Sequence, residues 1–236
     1  MAVLAVALFL VLLIISAGLF FKVTDIVVVG NSVVLAEDVR NASGMVVGDN
    51  IFLVNKFEAS HALFDSFPYI REVSISRVLP GKVIIEIKES VPASAFSFAN
   101  FFWLVDSDGR ILERRALLGE GVCPLVVGAE VLAPAVGQKL VVSEEETEKI
   151  YSLLEILKAL EELELLEETG TVDVSRAYDV RLVYQGRMEV RVGYPNDLQY
   201  KLSYIKPALA QLEQEQEATL DVTAAREKNV MLIPKS

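Results

Sequence analysis

The hydrophobic pattern begins with an unbroken apolar run at the N-terminus. Ala2 to Phe21 contains no charged residue and consists mainly of Ala, Val, Leu, Ile and Phe. A helix of about 20 residues spans roughly 30 Å, the hydrocarbon thickness of a bilayer. The run therefore predicts a transmembrane anchor over residues 1–22. A cleaved signal peptide is the alternative, but the run is longer than a typical signal and lacks a basic start.

The next segment, residues 23–91, shows the order strand, helix, helix, strand, strand. Val23 to Val29 is β-branched and predicts a strand. Leu35–Ala42 and Lys56–Phe67 carry apolar residues at helical spacing, and Asn55 is placed to cap the second helix. A sheet with both helices on one face is the simplest way to bury these stripes.

Two alternating strands close this segment, centred on Ile75 and Ile85. Both isoleucines are expected to face the helices, since their polar neighbours point the other way. Leu79-Pro80-Gly81-Lys82 lies between the strands. It predicts a type II turn, because proline presets the first φ and glycine supplies a positive second one.

Residues 92–236 predict a second domain, a mixed β-sheet with flanking helices. Its strands are short and separated by turn residues. We expect them at Ala93–Phe98, Phe101–Val105, Ile111–Leu112, Leu125–Val127, Thr171–Val174, Val180–Tyr184, Met188–Val192, Leu220–Val222 and Val230–Ile233.

Two amphipathic helices accompany these strands. Ser143 and Glu146 have the spacing of a capping box, ahead of a leucine-rich helix that includes Ile150 to Leu160. The second helix covers Leu198 to Leu212 and contains Pro207, which should kink or split it. The overall class is therefore α+β.

The charge of the chain excludes some partners. It carries 22 Lys and Arg against 33 Asp and Glu, a formal net charge of -11. This balance argues against nucleic acid, whose phosphates require a basic surface. The acidic runs Glu144–Glu148 and Glu161–Glu168 are typical of solvated helix faces.

Residues that commonly carry catalysis or bind cofactors are sparse. The single cysteine, Cys123, is expected to be a buried thiol, and the single histidine, His61, lies on a predicted helix. Asp106 and Asp108 favour a turn over a calcium loop, because the other oxygen ligands are missing. With no glycine-rich phosphate loop either, we expect no cofactor, no metal, no small-molecule substrate and no enzymatic activity. Chemistry by a pair of carboxylates stays open, since nothing in the sequence selects a pair.

Several stretches carry a family resemblance. FKVTDIVVVGN, GMVVGDNIF and SFPYIREVSISRVLPGKVIIEIKESVPASAF resemble the POTRA domain of the FtsQ/DivIB family of bacterial cell-division proteins. FFWLVDSDGRIL, CPLVVG, MEVRVGYPNDLQYKLSYIKPAL and ATLDVTAAREKNVMLIP resemble the β-domain of that family. Together these stretches cover nearly the whole chain.

The resemblance implies a function. Members are non-enzymatic single-pass proteins of the cytoplasmic membrane, with the bulk of the chain extracytoplasmic, and they act at the septum. Their β-domain binds FtsB/DivIC-like and FtsL-like coiled-coil proteins by strand addition, within a larger set of division proteins. The residues of this chain that match the partner-facing stretch are Thr223, Ala224, Arg226, Glu227, Val230 and Leu232.

The chain departs from the family pattern at Ala224 and Leu232, where some members have aromatic residues.

Two other functions are alternatives. A POTRA-containing transport or barrel-assembly factor would need a membrane β-barrel or repeated POTRA modules, and the chain has room for neither. An anchored enzyme acting on cell wall would need a convergent polar site.

Overall fold

The computed structural model describes residues 6, 9, 20–119, 121–227 and 229–235. Most of the predicted anchor, residues 1–22, lies outside these described residues. Within them, no helix combines the length and the apolar character needed to cross a membrane. The chain divides into two compact units, one ending at Ser90 and the other beginning at Val91.

The first unit has the predicted order of elements. They are β1 (Asp25–Val29), α1 (Ala36–Ala42), α2 (Lys56–Ser66), β2 (Ile70–Val78) and β3 (Lys82–Glu89). The strands are arranged β1-β3-β2, with β1 parallel and β2 antiparallel to the central β3. Asn55 caps α2, as predicted, and its side chain accepts a hydrogen bond from the backbone N–H of Glu58 at 3.2 Å.

The core of this unit confirms the predicted strand register. Ile75 lies directly opposite Ile85, and both are buried. They share one apolar cluster with Ala59 and Leu63 on the inner side of α2. The two strands therefore present their isoleucines toward the helices.

The predicted type II turn is wrong. Gly81 does not adopt the positive φ which that turn requires. Its carbonyl instead accepts a hydrogen bond from the N–H of Thr24 at 2.7 Å, and a Cβ at Gly81 would collide with the carbonyl oxygen of Lys22. Glycine is needed here because the backbone just before β1 passes so close to the turn.

In the second unit, nine strands of the described chain form one mixed sheet in the order β12-β11-β10-β9-β8-β7-β4-β5-β6. The first three strands in chain order, β4 to β6, pair antiparallel, and the short β7 pairs in parallel with β4. The strands are β4 (Ser94–Phe98), β5 (Phe101–Val105), β6 (Ile111–Arg115), β7 (Leu125–Val127), β8 (Thr169–Asp173), β9 (Val180–Tyr184), β10 (Met188–Gly193), β11 (Ala218–Ala224) and β12 (Asn229–Pro234).

The leucine-rich helix, α3 (Thr147–Glu162), supplies much of the core of this unit. Leu153, Leu157 and Leu160 are fully buried, as the helical spacing predicts. They join one cluster with residues from the strands, including Tyr184 and Val190. The buried face of α3 therefore packs against the sheet.

The predicted capping box at the start of α3 is also wrong. Ser143 makes no side-chain capping bond, and it precedes a 3-10 turn at Glu144–Glu146. The Glu146 carboxylate is paired with Lys149, with Nζ and Oε1 2.6 Å apart. Its other oxygen, Oε2, accepts a hydrogen bond from the backbone N–H of Glu130 at 3.2 Å, so the carboxylate is engaged away from Ser143.

The second amphipathic helix is split, as Pro207 predicts. It forms α4 (Leu198–Leu202) and α5 (Ile205–Leu209). Pro207 is the third residue of α5, within the first turn, where backbone N–H groups have no intrahelical acceptor. The proline is therefore accommodated by starting a new helix two residues before it.

Candidate partner-binding edge

The last hairpin of the second unit ends the sheet. β11 pairs in parallel with β10 on one side and antiparallel with β12 on the other. In the β11–β12 register, Leu220 lies opposite Leu232 and Asp221 opposite Met231. β12 stands at one end of the strand order, so within the described chain its far side has no neighbouring strand.

The side chains of β12 alternate between two faces. Val230 and Leu232 are half-buried and pack against the main core. Met231 and Ile233 point to the other face and are 49% and 54% exposed. The strand is thus held to the core by one set of side chains and displays the other set.

The backbone of β12 also alternates. The N–H of Lys235 donates to the carbonyl of Glu217 at 2.8 Å. In an antiparallel pair, alternate residues direct their backbone groups toward the partner strand, so Ile233 and Met231 direct theirs toward β11. Leu232 and Val230 consequently direct their N–H and C=O groups outward, which makes β12 a template for another strand.

The connection between the two strands contains the other predicted site residues. Thr223 is exposed and Ala224 half-buried at the end of β11. A 3-10 turn at Ala225–Glu227 follows, in which Arg226 donates a hydrogen bond to the carboxylate of Asp197. The side chain of Glu227 lies outside the described part of the chain. The structure thus brings the described members of the predicted set to one hairpin.

Asp221 holds the end of β11 in place. Its Oδ1 accepts hydrogen bonds from the N–H of Thr223 at 3.0 Å and from its hydroxyl at 2.6 Å. Its Oδ2 lies 3.1 Å from the guanidinium of Arg191 on β10. Burial acts to raise the pKa of Asp221, but the bonds from Thr223 and the charge of Arg191 outweigh it, and the pKa is lowered.

Sequence reasoning places Lys201 on the second amphipathic helix and gives it no role at this edge. It is buried, and its ammonium donates to the carbonyls of Val192 and Tyr194 at 3.0 and 2.8 Å and to Oδ1 of Asn196 at 2.9 Å. Burial lowers the pKa of Lys201, partly offset by the charge of Asp197. The lysine fixes the loop that carries Asp197, the partner of Arg226. The one feature of the sequence that points to its burial is its position between Leu198 and Leu202, which lie on the apolar face of the predicted helix.

The residues that could carry chemistry are not brought together. Cys123 is buried in the second unit, and burial raises the pKa of its thiol to about 12. His61 is exposed on α2 of the first unit, where its ring meets Phe57 edge-on at 4.4 Å between centroids. Asp106 accepts backbone hydrogen bonds within its turn, including one from the N–H of Asp108 at 3.0 Å. In the described residues, no group of three or more His, Cys, Asp or Glu could hold a metal ion.

Both units of the chain match models of known protein families. Residues 21–90 match the family model of the FtsQ-type POTRA domain, and residues 98–224 match that of the C-terminal region of the cell division protein FtsQ/DivIB. This chain belongs to the FtsQ/DivIB family of cell-division proteins. The matched range ends with β11, so β12 lies beyond it.

Two individual relatives, both DivIB proteins, agree with the FtsQ/DivIB assignment. The cell division protein DivIB of Clostridium botulinum is 26% identical over 184 residues, covering 78% of this chain and 70% of that protein. The DivIB of Clostridium tetani is 24% identical over 195 residues, covering 83% and 72%. The solved extracytoplasmic domain of DivIB from Geobacillus stearothermophilus is 17% identical, with a TM-score of 0.34, over 54% of this chain and 99% of that domain.

Proposed function

We propose that this chain is a non-enzymatic, single-pass membrane scaffold of the bacterial division machinery. It binds FtsB/DivIC-like and FtsL-like coiled-coil membrane proteins through its second unit and so links early and late septum-assembly proteins. The observation that carries the proposal is the outer side of β12, where Val230 and Leu232 direct backbone donors and acceptors away from the sheet. Membership of a cell-division family supports the setting in which such an edge would be used.

The membrane arrangement is part of the proposal. The uncharged run Ala2–Phe21 anchors the chain in the cytoplasmic membrane, and residues 23–91 and 92–236 form the POTRA domain and the β-domain outside the cytoplasm. An anchor confines both domains to the membrane surface, where the membrane-bound partners also lie. Such confinement raises the effective concentration of partner and scaffold for one another.

The binding mode is addition of a partner strand to β12. The partner would accept hydrogen bonds from the outward N–H groups of Val230 and Leu232 and donate to their carbonyls. Met231 and Ile233, on the exposed face, would then contact side chains of the added strand and contribute specificity. A contact made chiefly by the backbone tolerates the absence of aromatic side chains at Ala224 and Leu232.

Truncation of the last strand tests the proposal. The chain cut after Asn229 should lose co-purification with its FtsB/DivIC-like partner from solubilised membranes. Its circular dichroism should stay close to that of the whole chain, because a terminal edge strand contributes least to the core. The matched control is a chain cut after Pro234, which keeps β12 and should still bind. A folded chain cut after Asn229 that retains the partner at full strength would move the interface elsewhere.

The anchor is tested separately. Mass spectrometry of the purified protein should find the apolar run retained, and protease added to spheroplasts should digest the bulk of the chain. Alkaline extraction should leave the protein in the membrane. A mature N-terminus near Leu19 would show instead that the run is a cleaved signal.

A further inference from the structure

In the first unit, the loop at residues 44–55 is hydrogen-bonded to the last residue of the N-terminal apolar run and to the chain just after it. The carbonyl of Phe21 accepts from the N–H of Ile51 at 2.9 Å, and the carbonyl of Val23 accepts from the N–H of Gly48 at 2.7 Å. These bonds place the loop beside the point at which the chain leaves the apolar run. The position of the loop is therefore set by the chain that precedes β1.

This loop and the start of α2 expose large apolar side chains, while Ile51 between them is completely buried. The most exposed is Leu53, at 82%. We call this set the apolar rim, and its members are Val46, Val47, Phe52, Leu53 and Phe57, each more than half exposed.

The backbone of the loop explains why these side chains stay outside. Oδ1 of Asn50 accepts from the N–H of Phe52 at 2.9 Å, and Oδ2 of Asp49 accepts from the N–H of Val46 at 3.3 Å. These local bonds fix tight turns, so the apolar side chains cannot all reach the core that already holds Ile51. The ring of Phe21 lies against that of Phe52, with 5.2 Å between centroids, which joins the rim to the end of the apolar run.

Large apolar side chains exposed together on one loop and the helix start that follows it are typical of an interaction site. We propose that the apolar rim lies in the boundary between headgroups and acyl chains of the membrane that holds Ala2–Phe21. The inference rests on the anchor described under the proposed function. Because Phe21 ends the run and contacts the rim, the bilayer surface is the nearest apolar phase. Lys22 and Lys56 flank the rim and are at least partly exposed, so their ammonium groups can reach lipid phosphates while their stems stay apolar.

The opposite end of the first unit offers a matched control. β1 has five residues and α1 has seven, and both run between the rim end and the far end. At about 3.3 Å per residue, β1 alone separates the two ends by roughly 16 Å. Leu35, just before α1, is apolar and 68% exposed at the far end. It matches Leu53 in residue type and exposure and differs in its distance from the apolar run.

The test uses the full chain, purified alone and reconstituted into phosphatidylcholine vesicles, with Cys123→Ala as background. Leu53→Cys or Leu35→Cys is labelled with the environment-sensitive fluorophore NBD. Both positions are exposed, so neither substitution disturbs the core. We expect the label at 53 to shift to the blue and to lose intensity when the lipids carry bromine near the top of the acyl chains. The label at 35 should show neither change.

The outcomes separate this inference from the anchor. If the chain resists alkaline extraction but the label at 53 behaves like the label at 35, the apolar rim does not enter the membrane. If alkaline extraction releases the chain, the anchor and the rim assignment both fail. A blue shift at 53 that appears only when a coiled-coil partner is reconstituted with the chain would assign the rim to a protein, against our proposal.

Discussion

Arg226, in the turn between β11 and β12, forms an ion pair with Asp197 at the start of α4. The pair connects the turn of the last hairpin to the loop before α4. Lys201 stabilises that loop by donating hydrogen bonds to the carbonyls of Val192 and Tyr194. The hairpin is therefore fixed at its closed end by polar contacts and along β12 by apolar packing. Its outer backbone edge takes part in neither.

The Arg226–Asp197 pair should contribute little on its own, because the arginine side chain is 75% exposed. We expect Arg226→Gln and Asp197→Asn each to lower the free energy of unfolding by about 0.2–1 kcal/mol. The double variant should lose no more than either single one. Denaturant unfolding followed by the fluorescence of Trp103, the single tryptophan, measures this in the second unit. Strictly additive losses would mean that the two residues act independently.

Lys201 should matter more, because its side chain is buried and its hydrogen bond to the carbonyl of Val192 is screened from water. Lys201→Met keeps the length of the side chain but leaves the carbonyls of Val192 and Tyr194 without their donor. Each buried acceptor left unsatisfied costs about 1–3 kcal/mol. The same Trp103 unfolding measurement should therefore show a larger loss than for Arg226→Gln. Equal stability of Lys201→Met and wild type would show that water replaces the ammonium without cost.

The polar contacts of Arg226 and Lys201 could not be predicted from local sequence patterns, whereas other features of this unit could. Alternation alone places Val230 and Leu232 on one face and Met231 on the other, but not which face is inward. The break near Pro207 follows from its missing N–H. The ion pair of Asp197 with Arg226 depends on residues distant in sequence, so no local pattern reports it.

Both wrong predictions about turns and caps have the same origin. Glycine at position 81 is typical of a type II turn. Here glycine is required for another reason, because the carbonyl of Lys22 lies so close that no Cβ would fit. Glu146 has the spacing of a capping residue, but Lys149 competes for its carboxylate. In each case a specific neighbour outweighed a local preference.

The core of the first unit depends on its facing isoleucines. Ile75→Ala and Ile85→Ala should each lower the free energy of unfolding by about 2–5 kcal/mol, because each leaves a cavity between the sheet and α2. Hydrogen exchange of peptides from residues 23–90 reports on this unit, which contains no tryptophan. Val78→Ala is the control on the same strand, where the side chain is 44% exposed. Losses no greater than that of Val78→Ala would contradict the packing described above.

Asp221 should make the stability of the hairpin depend on acid. Its folded pKa lies below the ordinary value of 3.8, so between the two values the native state binds fewer protons than the unfolded state. The stabilisation is therefore complete above the ordinary value and is lost as pH falls through the folded pKa. Asp221→Asn keeps the size of the side chain but does not titrate. The difference in unfolding free energy between wild type and this variant should narrow on acidification from about pH 5. A difference that stays constant with pH would show that ionisation of Asp221 does not stabilise the hairpin.

The outer edge of β12 leads to the most specific prediction. Leu232 directs its N–H away from β11, whereas Met231 directs its N–H toward it. Proline removes the N–H and cannot join a ladder. Leu232→Pro should therefore abolish co-purification of the FtsB/DivIC-like partner while leaving the bonds between β11 and β12 in place. Met231→Pro removes a bond inside the hairpin, so it should lower stability, measured by Trp103 unfolding, as well as binding.

Leu232→Ala separates the backbone from the side chain. It loses the same half-buried leucine side chain as Leu232→Pro but keeps the outward N–H. If strand addition carries the contact, Leu232→Ala should retain most of the partner and Leu232→Pro should retain none, with similar circular dichroism for both. Equal loss of partner in the two variants would show that the leucine side chain, through its packing, matters and that the backbone edge does not. Full retention in both, with folding intact, would place the interface away from β12, because no ladder through Leu232 could form in the proline variant.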